Sequence, residues 1–253
     1  MTVNTTSQIQ NLSKQISSGK QINSAADNAA GLGIAEKMRA QENGTNQGTR
    51  NTADMQSLVN TAEGALSSVS SNLQRLNELA LQASNGIMTS SDRTLIQKEV
   101  DQVLDNIQSI SQSTQFNTRN LLNGEANELH TASSPDGSGM TVSIPSMSLQ
   151  DLGLEGFNVT GNFDLSSIHS AMNTVSSARS NLGATSNRMD YVMTSNDISA
   201  LNLASSRSRI EDTDMARATM ELEKERVLEQ YQVAAQKREN EQKEDQVKRL
   251  FTF

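Results

Sequence analysis

The sequence predicts a mainly α protein, a long antiparallel helical coiled-coil bundle formed by the N- and C-terminal segments, with a small β-hairpin in the middle. Three observations predict this class. Aromatic residues make up only 3% of the 253 residues, and the two prolines both lie near the middle of the chain. Apolar residues recur at alternating four- and three-residue intervals in both halves of the chain. Turn-forming residues collect between the two halves.

The N-terminal half carries the longest predicted helix. Residues 29–84 contain no proline, and one seam of alternating four- and three-residue spacing is sustained within them. Asn85-Gly86 is predicted to stop this helix, with Gly86 as a left-handed cap. The seam comprises Met55, Val59, Ala62, Leu66, Val69, Leu73, Leu76 and Ala80. Side chains off the seam are predicted to face solvent or a partner, among them Arg75, Glu78, Leu79 and Gln82.

A second helix is predicted to fold back on the first. Ser90, Ser91 or Asp92 supplies its N-cap, and the helix ends near residues 115–117. Its apolar residues repeat the spacing of the first helix, which predicts that the two pack together. These residues are Ile96, Val100, Val103, Ile107 and Ile110.

The middle of the chain is predicted to be irregular. Residues 124–161 are rich in Gly, Ser, Asp and Asn, and "SSPDGSG" at residues 133–139 is dense in turn-forming residues. Residues 140–144 alternate apolar and polar side chains, as a short strand does. Residues 127–132 are the predicted partner strand, so a hairpin at about residues 127–146 is the only β structure predicted.

The C-terminal half is predicted to be helical from Leu165 onward. Arg179, Ser186 and Asn196 occupy slots in its seam, where polar residues fix register or partner choice. The apolar members of that seam are Ile168, Met172, Val175, Leu182, Met189, Met193, Ala200 and Leu203. A weaker apolar face follows, formed by Met215, Leu222, Val227, Leu228, Tyr231, Ala234 and Ala235. Residues 236–246 contain no apolar side chain, which predicts a solvated helix or no stable helix.

Composition excludes several classes of function. The net charge of −8 gives no basic face for phosphate binding, so no nucleic-acid partner is expected. No apolar run approaches the ~18 residues of a membrane span, so no membrane partner is expected. Residues 1–15 lack the apolar core of a signal peptide. The chain contains no cysteine, which removes disulfides and thiolate chemistry.

The sequence contains no catalytic constellation. His130 and His169 lie far apart and in no metal-ligand spacing. The acidic pairs Glu211-Asp212 and Glu244-Asp245 are interpreted as a helix end or a solvated face. We therefore expect no enzymatic activity, no catalytic residue, no metal and no cofactor.

One stretch has the composition of a joint between helices. It is "KQISSGKQINSAADNAAGLGIAEKMR", residues 14–39, where small and polar residues run into a helix. Five segments resemble bacterial flagellin, the subunit of the flagellar filament, and cover the chain from about Ile16 to Arg217. In order, they are "ISSGKQINSAADNAAGLGIAEKMR", "TAEGALSSVSSNLQRLNELALQASNG", "SDRTLIQKEVDQVLDNIQSISQSTQFN", "LGLEGFNVTG" and "ALNLASSRSRIEDTDMARA".

The resemblance implies a short flagellin that lacks the variable outer domains. Residues 1–27 and 212–253 would form an inner terminal helical domain, the filament core, and residues 28–211 a helical rod domain. A spoke turn, residues 17–31, would join the two domains. We expect its glycines to allow backbone conformations that other residues avoid. We expect the carboxylate of its aspartate to cap a helix. The residues singled out in the spoke turn are Ser17, Ser18, Gly19, Asn23, Asp27 and Gly31.

The resemblance also implies partners and a location. The chain would polymerise with itself into a helical tube for motility, in the extracellular bacterial flagellum. It would leave the cell by flagellar type III export, without a cleaved signal peptide, and its further partners would be the export apparatus, a chaperone and the filament cap. A patch for the host receptor Toll-like receptor 5 is implied at Gln74, Arg75, Leu79, Ile96 and Glu99.

The C-terminal segment departs from the family pattern. Flagellins usually end in a low-charge helix, whereas residues 222–253 are heavily charged. Burying unpaired ions costs roughly several kcal/mol each, so the inner wall is wet and salt-bridged, or is partly disordered, or the chain is a minor flagellin. The alternative functions are a hook–filament junction protein and a non-polymerising secreted flagellin that acts as an innate-receptor ligand.

Overall fold

The computed structural model describes residues 2–251 of the chain, and the side chains within residues 6–248. Met1 and residues 252–253 of the predicted terminal domain lie outside this range. The predicted mainly α class, with a small antiparallel hairpin in the middle, is confirmed. The elements are α1 (Thr2–Ser18), α2 (Ala25–Ala83), α3 (Ser90–Ser113), β1 (Gln115–Phe116), β2 (Arg119–Asn120), β3 (Leu129–Ala132), β4 (Gly139–Val142), α4 (Leu165–Glu211) and α5 (Met215–Phe251).

Two predicted helix caps are wrong. Gly86 was expected to take a left-handed conformation, but it is not among the glycines with positive φ, because α2 already ends at Ala83. The N-cap of α3 is Thr89, one residue before the predicted candidates. Thr89 forms a capping box with Asp92, in which each side chain bonds the other residue's backbone N–H. Asp92 therefore acts three residues inside the cap.

The chain divides into two compact units, which are residues 1–42 with 201–253, and residues 43–200. In the first unit, α1 packs against α5. The two helices are antiparallel, because Thr6 bonds Glu229 at 3.4 Å while Lys20 forms an isolated antiparallel bridge with Asp212.

The second unit has its apolar core between α2, α3 and α4. Every predicted seam residue of α2 except Met55 is buried, and Met55 packs partly buried against the same core. Leu58, Leu79 and Ala83 are buried as well, so α2 buries a wider stripe than a two-helix seam would. The reason is that α2 has two helical neighbours, since Arg75 pairs with Glu99 of α3 and Glu63 with Arg179 of α4.

The predicted hairpin is present, with Leu129 opposite Val142 and Ala132 opposite Gly139. Its connecting loop lies against α2 at two glycines. A Cβ at Gly44 would be 2.8 Å from Pro135 Cβ, and a Cβ at Gly48 would be 2.2 Å from the Ser133 carbonyl oxygen. The loop approaches the helix this closely because both glycines lack side chains.

A second small hairpin was not predicted. β1 and β2 pair through a two-residue turn at Asn117 and Thr118, both with positive φ. Such turns usually carry Asn-Gly. Positive φ is rare for a β-branched residue such as Thr118, so the sequence does not indicate a turn here.

None of the helices in residues 2–251 has both the length and the apolar content needed to cross a bilayer.

Candidate functional site

The segment predicted as the spoke turn, residues 17–31, comprises the end of α1, a backbone reversal centred on Gly19 and the start of α2. Gly19 has a φ of +69°, a conformation that glycine adopts without steric cost. The Ser18 hydroxyl donates to the Gln15 carbonyl at 3.3 Å and accepts from the Lys20 N–H at 3.2 Å. Ser18 and Gly19 thus form a tight turn after α1, and the neighbouring Ser17 is exposed.

The backbone after this reversal is hydrogen-bonded to the junction between α4 and α5. The Gln21 N–H donates to the Glu211 carbonyl at 2.8 Å, and the Thr213 N–H donates to the Gly19 carbonyl at 2.9 Å. These bonds, with the Lys20–Asp212 bridge, pair two short non-helical segments from opposite ends of the sequence. The turn is therefore held by the C-terminal part of the chain rather than by its own residues alone.

Asp27 organises the next turn of backbone. Its carboxylate accepts from the N–H groups of Asn23 and Ser24, at 3.0 and 2.8 Å, and from the Ser24 hydroxyl at 3.0 Å. The bond from Asn23, followed by those from Ser24, lowers the pKa of Asp27, because these bonds favour the ionised form. The Asn23 side chain in turn donates to the Lys20 carbonyl at 2.8 Å. The Asp27 carboxylate therefore caps the backbone N–H groups of residues 23 and 24, which precede it in the chain.

The long helix itself is capped by Asn28, which the sequence analysis did not single out. Asn28 has an extended backbone (φ −163°, ψ 96°) inside the range of α2, and its side-chain oxygen accepts from the Gly31 N–H at 2.8 Å. Gly31 has no positive φ, so its role is not backbone freedom. A Cβ at Gly31 would lie 2.7 Å from Ile22 Cδ1 and 2.9 Å from Asn28 Nδ2, which shows that Gly31 makes room for both side chains.

A cluster of charges lies beside the spoke turn, centred on Glu211 at the end of α4. Of the two interpretations of Glu211, a helix end or a solvated face, the structure has the helix end, and the Glu211 side chain is only 3% exposed. Its carboxylate accepts from Lys20, from Arg39 at 2.9 and 3.2 Å, and from Arg207 at 3.5 Å. Arg207 also pairs with Glu42 at 3.2 Å.

The electrostatics of this cluster favour an ionised Glu211. Burial by itself raises the pKa of Glu211, but the hydrogen bonds from Lys20 and Arg39 outweigh it and leave the pKa below its ordinary value. Only the i, i+4 pair of Arg207 with Glu211 could have been found from the sequence. The other two partners lie 191 and 172 positions away, beyond any local spacing rule.

The predicted receptor patch divides into exposed and buried members. Gln74, Arg75 and Glu99 are exposed, whereas Leu79 and Ile96 lie in the core of the second unit. The prediction that Leu79 faces solvent or a partner is wrong, because α2 packs against two helices and buries it. Arg75 Nε donates to Glu99 at 3.0 Å, and the bonds with Glu99, followed by the bond with Glu78, raise the pKa of Arg75.

An apolar stripe on α5 has no partner within the described part of the chain. Met220, Val227 and Tyr231 are 69%, 61% and 73% exposed. Their spacing places them on one helix face, opposite the buried Ala218 and Leu222. These three exposed apolar side chains therefore share one face of α5, although Met215 and Val233, nearer the side of Leu222, are exposed as well.

Among the described residues, no three His, Asp or Glu side chains form a group that could hold a metal ion. His130 lies on the surface, with Nε2 3.4 Å from the Gly137 carbonyl oxygen.

Comparison with known proteins identifies two family regions in the chain. Residues 1–127 match the bacterial flagellin N-terminal helical region, and residues 165–247 match the C-terminal helical region. The flagellar filament core protein flaB2 of Brachyspira hyodysenteriae is 38% identical, over 87% of this chain and 84% of that protein. A flagellin of Halalkalibacterium halodurans is 37% identical, over 90% and 87%.

Solved structures agree with these matches. The crystal structure of Bacillus cereus flagellin is similar with a TM-score of 0.51 and 28% identity, over 58% of this chain and 88% of that one. A putative flagellar hook-associated protein from Vibrio parahaemolyticus has a TM-score of 0.61 over 74% of this chain and 100% of that one. Its identity of 17% shows a shared fold alone.

Proposed function

We propose that the terminal helices of this chain assemble the flagellar filament. The chain belongs to the bacterial flagellin family, and it is a structural subunit of the extracellular filament and not an enzyme. In this proposal, residues 1–27 and 212–253 form the inner domain of a helical tube that serves motility. Residues 28–211 form the rod domain, and the spoke turn joins the two. Self-assembly is a property of the family, and no observation favours a junction protein or a non-polymerising ligand.

The positions of the helix breaks support these domain boundaries. The non-helical Asn28 interrupts α2 where the inner domain would end, and α4 stops at Glu211, where it would resume. Both breaks lie within the first compact unit, which extends beyond the proposed inner domain to residues 42 and 201. The spoke turn is therefore proposed to be a hydrogen-bonded joint.

The apolar stripe on α5 is the observation that carries the assembly proposal. Met220, Val227 and Tyr231 face away from the side of α5 that carries the buried Ala218 and Leu222, so a second subunit is free to cover them. Burying such side chains contributes roughly 1.5–3 kcal/mol each. Heterologous contacts of this kind generate open helical polymers.

Matched substitutions on α5 test this proposal. Tyr231→Asp is expected to abolish pelleting of polymer in an ultracentrifuge, while the far-UV circular dichroism of the monomer stays unchanged. Gln230→Asp adds the same charge one residue away, at an exposed position outside the stripe, and is expected to leave polymer. Equal pelleting of the two variants would contradict the proposal.

The charged end of α5 is proposed to form a hydrated, salt-bridged wall. Residues 236–248 are helical and exposed, and Lys243 pairs with Glu239 at 2.7 Å. Exposed pairs are screened by salt, so this proposal predicts that the yield of polymer changes with ionic strength.

We further propose that the exposed pair Arg75–Glu99, with Gln74 beside it, is the patch that meets Toll-like receptor 5. Leu79 and Ile96 would support this patch from the core. A receptor-reporter assay tests it, with the Arg75→Ala, Glu99→Ala double variant expected to lose signal. Lys98→Ala, at an adjacent exposed position, is the control. A double variant that signals like wild type would contradict the proposal.

Export is proposed to follow the flagellar type III route, with the export apparatus, a chaperone and the filament cap as partners. The proposal rests on membership of the family. It is tested by comparing secretion in cells with and without the export channel. Secretion that persists without the channel, or a secreted chain that has lost its N-terminus, would contradict it.

A further inference from the structure

The chain contains three Asn-Gly pairs, Asn43–Gly44, Asn85–Gly86 and Asn123–Gly124. In such a pair the backbone nitrogen of glycine is poorly shielded and can attack the preceding side-chain amide. The reaction needs an accessible amide, a polarised amide carbonyl and backbone that is free to close a ring. All three pairs belong to the second compact unit, yet their local structures differ.

Asn85–Gly86 lies in the turn between α2 and α3 and has an accessible, polarised amide. Two bonds hold its backbone, from the Asn85 N–H to the Gln82 carbonyl at 3.2 Å and from the Met88 N–H to the Asn85 carbonyl at 3.0 Å, and opening them disturbs only the end of α2 and the turn itself. Asn85, Gly86 and Ile87 are all exposed. The Ile87 N–H donates to Asn85 Oδ1 at 3.2 Å, a bond that folds the side-chain amide over the Gly86 peptide and stabilises negative charge developing on that oxygen. A Cβ built on Gly86 would have no atom within 4 Å, so the space around the glycine is open.

The pair Asn43–Gly44, in contrast, has a fixed backbone and little free space around the glycine. It lies inside α2, where each backbone N–H donates to the carbonyl four residues earlier and the dihedral angles are fixed. Gly44 also faces Pro135, whose Cβ would be 2.8 Å from a Cβ at that position. Ring closure there would require local unfolding of the helix.

Asn123–Gly124 is an intermediate case. The Glu125 N–H donates to Asn123 Oδ1 at 3.0 Å, as in the α2–α3 turn. Asn123 is half-buried, however, and it follows the fully buried Leu122. The Leu122 carbonyl accepts from Met147 at 2.8 Å and from Ser111 at 2.9 Å, which anchors the backbone before the pair.

We propose that Asn85–Gly86 is a site of spontaneous covalent modification, at which the folded subunit deamidates. The Gly86 nitrogen forms a bond to Asn85 Cγ and loses its proton to water, and water returns a proton to the side-chain nitrogen, whose bond to Cγ breaks so that it leaves as ammonia. The five-membered succinimide that results is opened by one water molecule. Cleavage of one ring carbon–nitrogen bond gives aspartate, and cleavage of the other gives isoaspartate, which adds a backbone carbon to the turn.

The modification would alter a defined part of the molecule. It adds one carboxylate to a chain whose net charge is −8, between the end of α2 and the Thr89–Asp92 capping box of α3. Negative charge is favourable at the start of a helix and unfavourable at the end of one. The isoaspartate product also lengthens the connection between the two helices.

Hydroxylamine tests the proposal, because it attacks the succinimide and cleaves the chain between asparagine and glycine. The native protein is expected to be cleaved at residues 85–86, and at least about a hundredfold more slowly at residues 43–44, since misplacing a reacting group by 1 Å costs about that factor. In denaturant, all three pairs should be cleaved at similar rates. Mass spectrometry of protein aged in mild buffer should find aspartate and isoaspartate first at Asn85.

Two variants serve as controls. Gly86→Ala shields the attacking nitrogen without a steric clash, and Asn85→Gln makes the ring larger. Both are expected to lose most of the cleavage at this site while Asn123–Gly124 is unaffected. Similar cleavage of the native protein at all three pairs, or none at residues 85–86 under conditions that cleave the denatured chain, would overturn the proposal.

Discussion

Arg39 on α2 and Glu211 at the end of α4 form an ion pair in which one guanidinium nitrogen lies 2.9 and 3.2 Å from the two carboxylate oxygens. The pair lies within the first compact unit, and Lys20 of the spoke turn bonds the same carboxylate. Glu211 therefore links α2, α4 and the spoke turn.

Replacing Glu211 by Gln should loosen the spoke turn. The variant leaves three cations around a neutral amide, and hydrogen bonds to charged groups contribute about 1.5–3 kcal/mol. The side chains of Lys20 and Arg39 are 36% and 37% exposed, so we expect a loss of about 2 kcal/mol or less, reduced by solvent screening. Hydrogen exchange at the Gln21 and Thr213 amides is the measurement. Glu244→Gln, at an exposed position, should leave exchange unchanged.

The stability of the same region should depend on pH through Glu211. Its pKa is lowered from an ordinary value of 4.5, so its contribution is present above pH 4.5 and is lost as the pH falls through the lower folded value. Exposed carboxylates with lowered pKa values, such as Asp27, contribute in the same direction. The difference in exchange protection between wild type and Glu211→Gln should therefore shrink as pH falls below 4.5. A difference that stays constant would contradict this reading.

Gly31 and Gly33 should respond in opposite directions to alanine. Gly31→Ala places a Cβ 2.7 Å from Ile22 Cδ1 and 2.9 Å from Asn28 Nδ2. Both side-chain ends can shift, but moving the Asn28 side chain breaks its bond to the Gly31 N–H, so we expect a loss of about 1 kcal/mol. Gly33 lies in the same helix with open space around it, so Gly33→Ala should stabilise by roughly 0.5–1 kcal/mol. Urea denaturation of the two variants measures this contrast. Stabilisation by both would show that Gly31 makes no close contact.

Gly48 should be required for seating the hairpin loop on α2. An alanine Cβ would be 2.2 Å from the Ser133 carbonyl oxygen, a backbone atom with little freedom to move. We expect Gly48→Ala to destabilise the second unit by at least about 2 kcal/mol. Gly64→Ala, at an open position in the same helix, should be neutral or stabilising. Hydrogen exchange at the β3 and β4 amides locates the effect.

The sequence predicts the long helices and the β3–β4 hairpin, but not the β1–β2 hairpin, because the spacing of apolar residues determines which helix faces are buried. The seams of α2 and α3, the start of α4 at Leu165 and the β3–β4 hairpin were all read from that spacing or from turn chemistry. Among the polar slots of α4, Arg179 bonds Glu63 at 2.7 and 3.0 Å, and Asn196 donates to the Ser133 carbonyl at 2.8 Å. Arg179 and Asn196 thus make specific contacts with other elements from polar positions within the seam.

Two features that the sequence did not predict, the burial of Leu79 and of Glu211, depend on contacts between distant residues. The pattern places Leu79 towards solvent or a partner because a two-helix seam does not include a third neighbour. It leaves Glu211 as a helix end or a solvated face, and it does not show the burial of Glu211, because the partners Lys20 and Arg39 come from the other end of the chain. Asn28 was missed as a cap because Ser24 and Asp27, just before it, are equally good capping residues.

The most direct test of the account is negative-stain electron microscopy of the purified protein at high concentration, with and without a precipitant. The account predicts long, uniform filaments, because the terminal helices present an uncovered apolar stripe and the charged end of α5 can remain hydrated. Persistent monomers under both conditions would contradict it, because they would show that these termini do not assemble the subunit by themselves.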